Sequence, residues 1–292
     1  MISRWKTCIG AGVILGMTLS MNGVIAVLAA GGAQTGQSQP PPKQTDKDKA
    51  PSSNSLTLDN PVPAANAEED AAYKEFTDIP ATDLNKRTQV GEALLQKYPA
   101  SRYRPVVYSA LTAAYLQLGQ VQKMQETGEK AIALTPNDVQ TLAVLGQTIA
   151  RSINASTPEP EKQLTKAEQY SKKAIELTPT IEKPAAITDE VFAAAKNQTL
   201  AMAHSGLGLV YLRRGKIPEA IPELDQSVKI DPSPDPVNYY LLGLANQKSS
   251  HFDDAVAAYT KCAALPGSMQ SACQKAAEEA KKLAMTQLSA PK

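Results

Sequence analysis

One stretch, His204 to Pro232, restricts the fold more than any other part of the chain; it reads HSGLGLVYLRRGKIPEAIPELDQSVKIDP. Leu207, Val210 and Tyr211 recur at the spacing of one helix face, and Ala220, Leu224 and Val228 do so for a second helix. Gly208 removes a side chain where the two helices would cross. Gly215 stands where the first should stop, and Pro232 follows the second. Pro222 deletes a backbone donor, so the spacing predicts a second helix starting near Pro218 with a slight bend. A helix pair of this kind buries one face only, and has to be covered by another pair.

Other parts of the chain carry the same pattern. Leu111, Tyr115, Gly119, Ala131 and Pro136 hold the matching places in an earlier unit, where Met124 and Gly128 replace a small and a large residue. A second unit has Leu145-Gly146, Ile149, Ala167, Tyr170, Ala174 and Pro179, with about nine extra residues placed in 154–162 by Pro158 and Pro160. A later unit has Tyr239, Leu242-Gly243, Ala255, Tyr259 and Leu265, with Asn246 for Tyr and Ser250 for Gly. This spacing resembles the tetratricopeptide repeat, W-x2-L-G-x2-Y with A-x3-F and P, which recurs about every 34 residues. The segment KYPASRY, Lys97 to Tyr103, is similar to inter-unit links in such proteins of bacterial envelopes. The resemblance implies an all-α, right-handed solenoid of antiparallel helix pairs. Its units fall at about 82–104 (degenerate), 105–138, 139–181, 201–234 and 236–269, with a capping helix at 269–288.

Composition agrees with a helical chain: aromatic residues make up only 5%, and no run of alternating β-branched residues marks a sheet. A helical segment 67–76, then Thr82 to Tyr98, leads into the units, with Asp78 and Thr82 as candidate N-caps. Asp189 to Arg213 reads as one long helix.

Residues 1–33 differ from the rest. Arg4 and Lys6 precede a charge-free apolar run, Ile9 to Ala30, ending in small residues. That fits a signal peptide, and an uncleaved inner-membrane anchor has the same composition. Cys8 precedes the apolar run, which does not support lipid attachment. Residues 34–66 are rich in Pro, Ser and Gln and too polar to bury a core, which makes them a spacer before the solenoid at 67–292. The expected location is therefore periplasmic, or anchored in the inner membrane facing the periplasm, with membrane contact only through residues 1–30 if these are retained.

No catalytic constellation is present. His204 and His251 lack metal-ligand spacing, there is no phosphate-cradling or nucleophile-elbow motif, and no cofactor or metal is expected. A net charge of +1 gives no field for nucleic acid. Cys262 and Cys273 lie equally far from the turn at Pro266 to Ser268, so they would face each other across a helix hairpin. They read either as a disulfide or as small core residues in slots that hold Ala elsewhere.

Function is expected in the groove that the first helices line in the tetratricopeptide family. The resemblance implies Val106, Ser109 and Ala113, then Gln140, Ala143 and Gln147. It continues with Met202, Ser205, Leu209 and Leu212, then Val237, Tyr240, Leu244 and Gln247. Arg151, Arg213 and Lys248 form a basic rim. Such a groove fits a protein or peptide segment with apolar side chains inward and carboxylates at the rim. The expectation is a non-catalytic interaction scaffold; the alternative is a structural subunit of an envelope assembly, secretion or cell-wall machine.

Overall fold

The computed structural model describes residues 66–289, in which eleven α-helices and one 3-10 turn run in sequence without a strand. They are α1 (Ala67–Asp78), α2 (Leu84–Lys97), α3 (Arg104–Gln117), α4 (Val121–Leu134), α5 (Val139–Ser152) and α6 (Pro160–Leu177). After the turn Thr178–Thr180 come α7 (Asp189–Arg213), α8 (Ile217–Ile230), α9 (Pro236–Lys248), α10 (Phe252–Ala264) and α11 (Gln270–Ser289). The chain is an all-α solenoid: α3/α4, α5/α6, α7/α8 and α9/α10 pack as successive pairs, and α11 packs on α10. The segment read as leader or anchor, 1–33, and nearly all of the spacer lie outside the described residues.

Local chemistry explains the helix boundaries. Asn66, Asp83, Asp138, Thr188 and Asp235 each cap a helix by accepting a backbone N–H. Asp83, rather than Asp78 or Thr82, starts α2, because its carboxylate reaches Lys86 N at 3.2 Å. Three pairs close their turns alike: Gln120 N bonds Tyr115 O, Lys216 N bonds Tyr211 O and His251 N bonds Asn246 O, each at 2.9 Å. These turns need a left-handed residue, supplied by Gly119, Gly215 and, at φ 61°, by Ser250. Asn246 in place of Tyr therefore leaves the backbone closure intact. The α5/α6 connection uses a longer loop, with Glu159 at φ 44° just ahead of Pro160 at the helix start. α8 runs from Ile217 to Ile230 with Pro222 inside it.

Packing between the two helices of a pair is set by one crossing, at which the two volumes trade off. Gly208 meets Leu224 and Gly243 meets Tyr259, and a Cβ on either glycine would come within 2.7 Å of its partner's side chain; Gly128 meets Leu145 of α5 as well as Thr112 of its own pair. In α5/α6 both residues are small, Gly146 and Ser171. Tyr170, which the sequence pattern put in this slot, is half-buried beside it. The space is filled by a third helix: a Cβ on Gly206 of α7 would lie 2.7 Å from Ser171 Oγ and 2.8 Å from the backbone N of Gln147. Three helices thus meet at Gly146, Ser171 and Gly206, and α5 is buried continuously from Thr141 to Ala150.

One apolar core runs from Phe76 in α1 to Ala258 in α10. The cap has a smaller cluster of its own, Ala255, Tyr259, Ala277 and Ala280. Alanines bury little area, and here a covalent link adds to them: Cys262 and Cys273 are joined by a disulfide, with Cα atoms 5.7 Å apart.

Two stability measurements check this packing. Gly206→Ala presses a methyl group against the Gln147 backbone, which has no rotamer to yield, so urea unfolding followed by helical circular dichroism should show a loss of about 1–3 kcal/mol. Replacing both Cys262 and Cys273 by Ala keeps the small volumes but removes the staple, and should cost about 2–3 kcal/mol for so short a loop.

Candidate functional site

The first helices α3, α5, α7 and α9 present their inner faces on one side of the stack, and the expected groove residues divide into two groups there. Gln147, Met202, Ser205, Leu209, Leu212 and Leu244 are all buried, as is Ala143. Contrary to the sequence expectation, they do not line an open groove. The cause is the crossing at Gly206: with backbone against backbone, α7 lies close along α5 and covers the face that a more widely spaced pair would leave open. Residues that keep partial access lie toward the two ends. They are Val106, Ser109 and Ala113 on α3, Gln140 in the first turn of α5, and Arg213, Val237, Tyr240 and Gln247 on α7 and α9, while Lys248 is exposed.

Arg151, placed by the sequence at the basic rim, is instead an internal clasp. Its Nη1 donates to Asp235 Oδ2 at 2.8 Å and its Nη2 to Asn238 Oδ1 at 2.8 Å, across 84 and 87 residues of sequence. Ser205 Oγ donates to the same Asn238 oxygen at 2.7 Å, and Asn238 Nδ2 donates to Ser227 Oγ at 3.0 Å. The two charged side chains retain only 12% and 18% of their exposure. This network ties α5 to α9 over the inner surface of α7 and holds the middle of the inner face closed. Nearby, burial pushes the Asp231 carboxyl above its ordinary value against the pull of the Ser233 N–H, with the Asp235 charge adding to the rise. Sequence reading missed Asp235 and Asn238 as partners of Arg151; the only local signal was Asp-Pro as a helix start.

Other expected contacts are engaged within the chain. Tyr259 donates its hydroxyl to Gln247 Oε1 at 3.0 Å, and its ring lies 5.5 Å from that of Tyr240. Ser109 bonds the Asp138 cap. His204 Nδ1 sits 2.6 Å from Glu223 Oε2, which joins α7 to α8. Arg213 differs from all of these. It is half-buried, its Nε is buried without a hydrogen-bond partner, and burial pulls its guanidinium below the ordinary value. Among the described residues no group of three or more His, Cys, Asp or Glu could hold a metal ion, and no helix is long and apolar enough to cross a membrane.

No family model matches the chain, and no curated protein matches it by sequence. Among solved structures, it is similar to TTC0263, a thermophilic TPR protein of Thermus thermophilus, at 20% identity and a TM-score of 0.43, covering 66% of this chain and 89% of that one. It is also similar to PilW, a widely conserved type IV pilus biogenesis factor, at 14% identity and 0.46, covering 78% and 97%. A MamA RS-1 double mutant is similar at 16% and 0.47, covering 68% and 94%. Likenesses at these values say nothing of a partner or an activity.

The clasp has a measurable weight. Arg151→Gln leaves Asp235 half-buried without its cation, and should lower stability by about 2–3 kcal/mol, less than for a fully buried pair because some exposure remains. Asp235→Asn should cost a similar amount, and the double variant less than the sum of the two in the same unfolding assay.

Proposed function

We propose that this protein is a non-catalytic interaction scaffold of the bacterial cell envelope. A leader or anchor at 1–33 carries it to the periplasmic side, 34–66 act as a spacer, and the solenoid holds a segment of another protein. The observation that supports this reading best is the inner face itself. Its apolar and small side chains, Val106 and Ala113 at one end and Val237 and Tyr240 at the other, stay half-buried on first helices braced by a continuous core. A rigid surface of this kind gives a partner contact area without a large ordering cost.

A second reading is favoured by the closure of the middle of that face: a structural subunit of an envelope machine, engaged through the outer second helices instead. Photo-crosslinking amino acids at Ala113 and Tyr240, and at Gln169 on the exposed side of α6, distinguish the two in intact cells. Partner crosslinks from Ala113 and Tyr240 are expected for the scaffold; crosslinks from Gln169 alone, with a stable copurifying complex, would favour the subunit. A protein found with the cytoplasmic fraction would remove the envelope assignment.

A further inference from the structure

Arg87, Arg102, Arg104, Arg151 and Arg214 each donate to a carboxylate or a backbone carbonyl, whereas Arg213 bonds no group among the described residues. Its Nε is buried without a partner, as are those of Arg151 and Arg214, but those two place their terminal nitrogens on acceptors and Arg213 does not. A guanidinium that has given up part of its hydration without gaining an acceptor is an unfavourable arrangement, and an acceptor brought by a partner would relieve it.

The chain shows what an acceptor at such a place looks like. Arg213 stands five residues after Gly208 at the pair crossing, as Arg151 stands five after Gly146. Arg151 is satisfied by Asp235, the N-cap at the start of the first helix two pairs further on. For Arg213 the first helix two pairs further on is α11. The residues leading into it are Gly267, Ser268 and Met269, and its first turn carries no acid. Arg213 therefore has the position of Arg151 without the carboxylate that completes it. Lys248, five residues after Gly243, is exposed and adds a second positive charge to the same series of positions.

We infer that Arg213 is a binding site for an Asp or Glu side chain of a partner protein, which takes the place at Arg213 that Asp235 takes at Arg151. This deepens the scaffold reading and rests on it. A carboxylate suits the site because the planar guanidinium offers paired donors to two oxygens, and partial desolvation strengthens each bond. Specificity follows as well: a neutral side chain would leave the half-buried charge unmatched. Lys248 contributes by attraction at longer range and is the more replaceable of the two.

The test uses the full chain and acetylated, amidated peptides in which a single Asp is set among apolar residues, read by fluorescence anisotropy. A matched series has Asn for Asp, and another has no acid except a free C-terminal carboxylate. The Asp peptides should bind the native chain, and Arg213→Gln should weaken them about tenfold, the scale of one desolvated charge pair. The Asn peptides should bind the native chain as weakly as the Asp peptides bind the variant, and Arg213→Lys should restore only part of the loss. Since Arg213 has no internal partner, Arg213→Gln should unfold at no lower temperature than the native chain. Equal loss for Asp and Asn peptides would mean a structural role and overturn the inference, as would a response confined to the free C-terminal carboxylate. Unchanged binding of all peptides by Arg213→Gln would overturn it and leave the scaffold reading in place. No binding of any peptide to the native chain would remove both.

Discussion

The approach of three helices at Gly146, Ser171 and Gly206 is the contact from which the rest of the architecture follows. In α7/α8 and α9/α10 the pair settles its own crossing, with bulk on one helix matched by space on the other, as Leu224 fills the space over Gly208. In α5/α6 neither helix supplies bulk, and close packing does not tolerate the void. The backbone of α7 fills it. A neighbouring pair is drawn in until Gly206 meets Gln147, and α5 becomes the most enclosed helix of the stack.

That approach governs the polar chemistry too. Bringing α7 against α5 places Ser205 beside Arg151 and allows α9 to reach over with Asp235 and Asn238. Ion pairs this enclosed are costly to form in isolation and become worthwhile only when hydrogen bonds satisfy the remaining donors. Asn238 and Ser205 take the second terminal nitrogen of Arg151, and Ser227 holds Asn238 in place, while Arg151 Nε stays buried without a partner. The inner face consequently has a sealed middle and two partly open ends, one largely apolar at α3 and one with unmatched positive charge at Arg213 and Lys248. A partner would meet these ends as separate contacts on a rigid frame.

Much of the helical framework could be read from residues. Gly119 and Gly215 marked turns, Pro136, Pro179 and Pro232 followed second helices, and the long α7 followed from an unbroken helical run from Asp189 to Arg213. The slot assigned to Tyr170 was off by one residue, because an aromatic beside the expected place attracted the match, whereas Ser171 occupies the crossing. The candidate site was less legible. Leu209 and Leu212 were expected to line the groove and are buried instead, because residues of the same periodicity serve as groove lining or as core depending on how near the next helix comes.

What the sequence determined by itself is therefore local: which residues are helical, where each helix is capped, and which stripe of each helix is apolar. These depend on hydrogen bonds and side-chain spacing within a few residues. Tertiary structure alone decided which apolar stripe is covered twice, which arginine is clasped and which is left unmatched. Those outcomes depend on volumes and charges that meet across 59 to 87 residues, as Gln147 meets Gly206 and Arg151 meets Asn238. No local pattern encodes such a meeting, because it is fixed only when the stack closes around it.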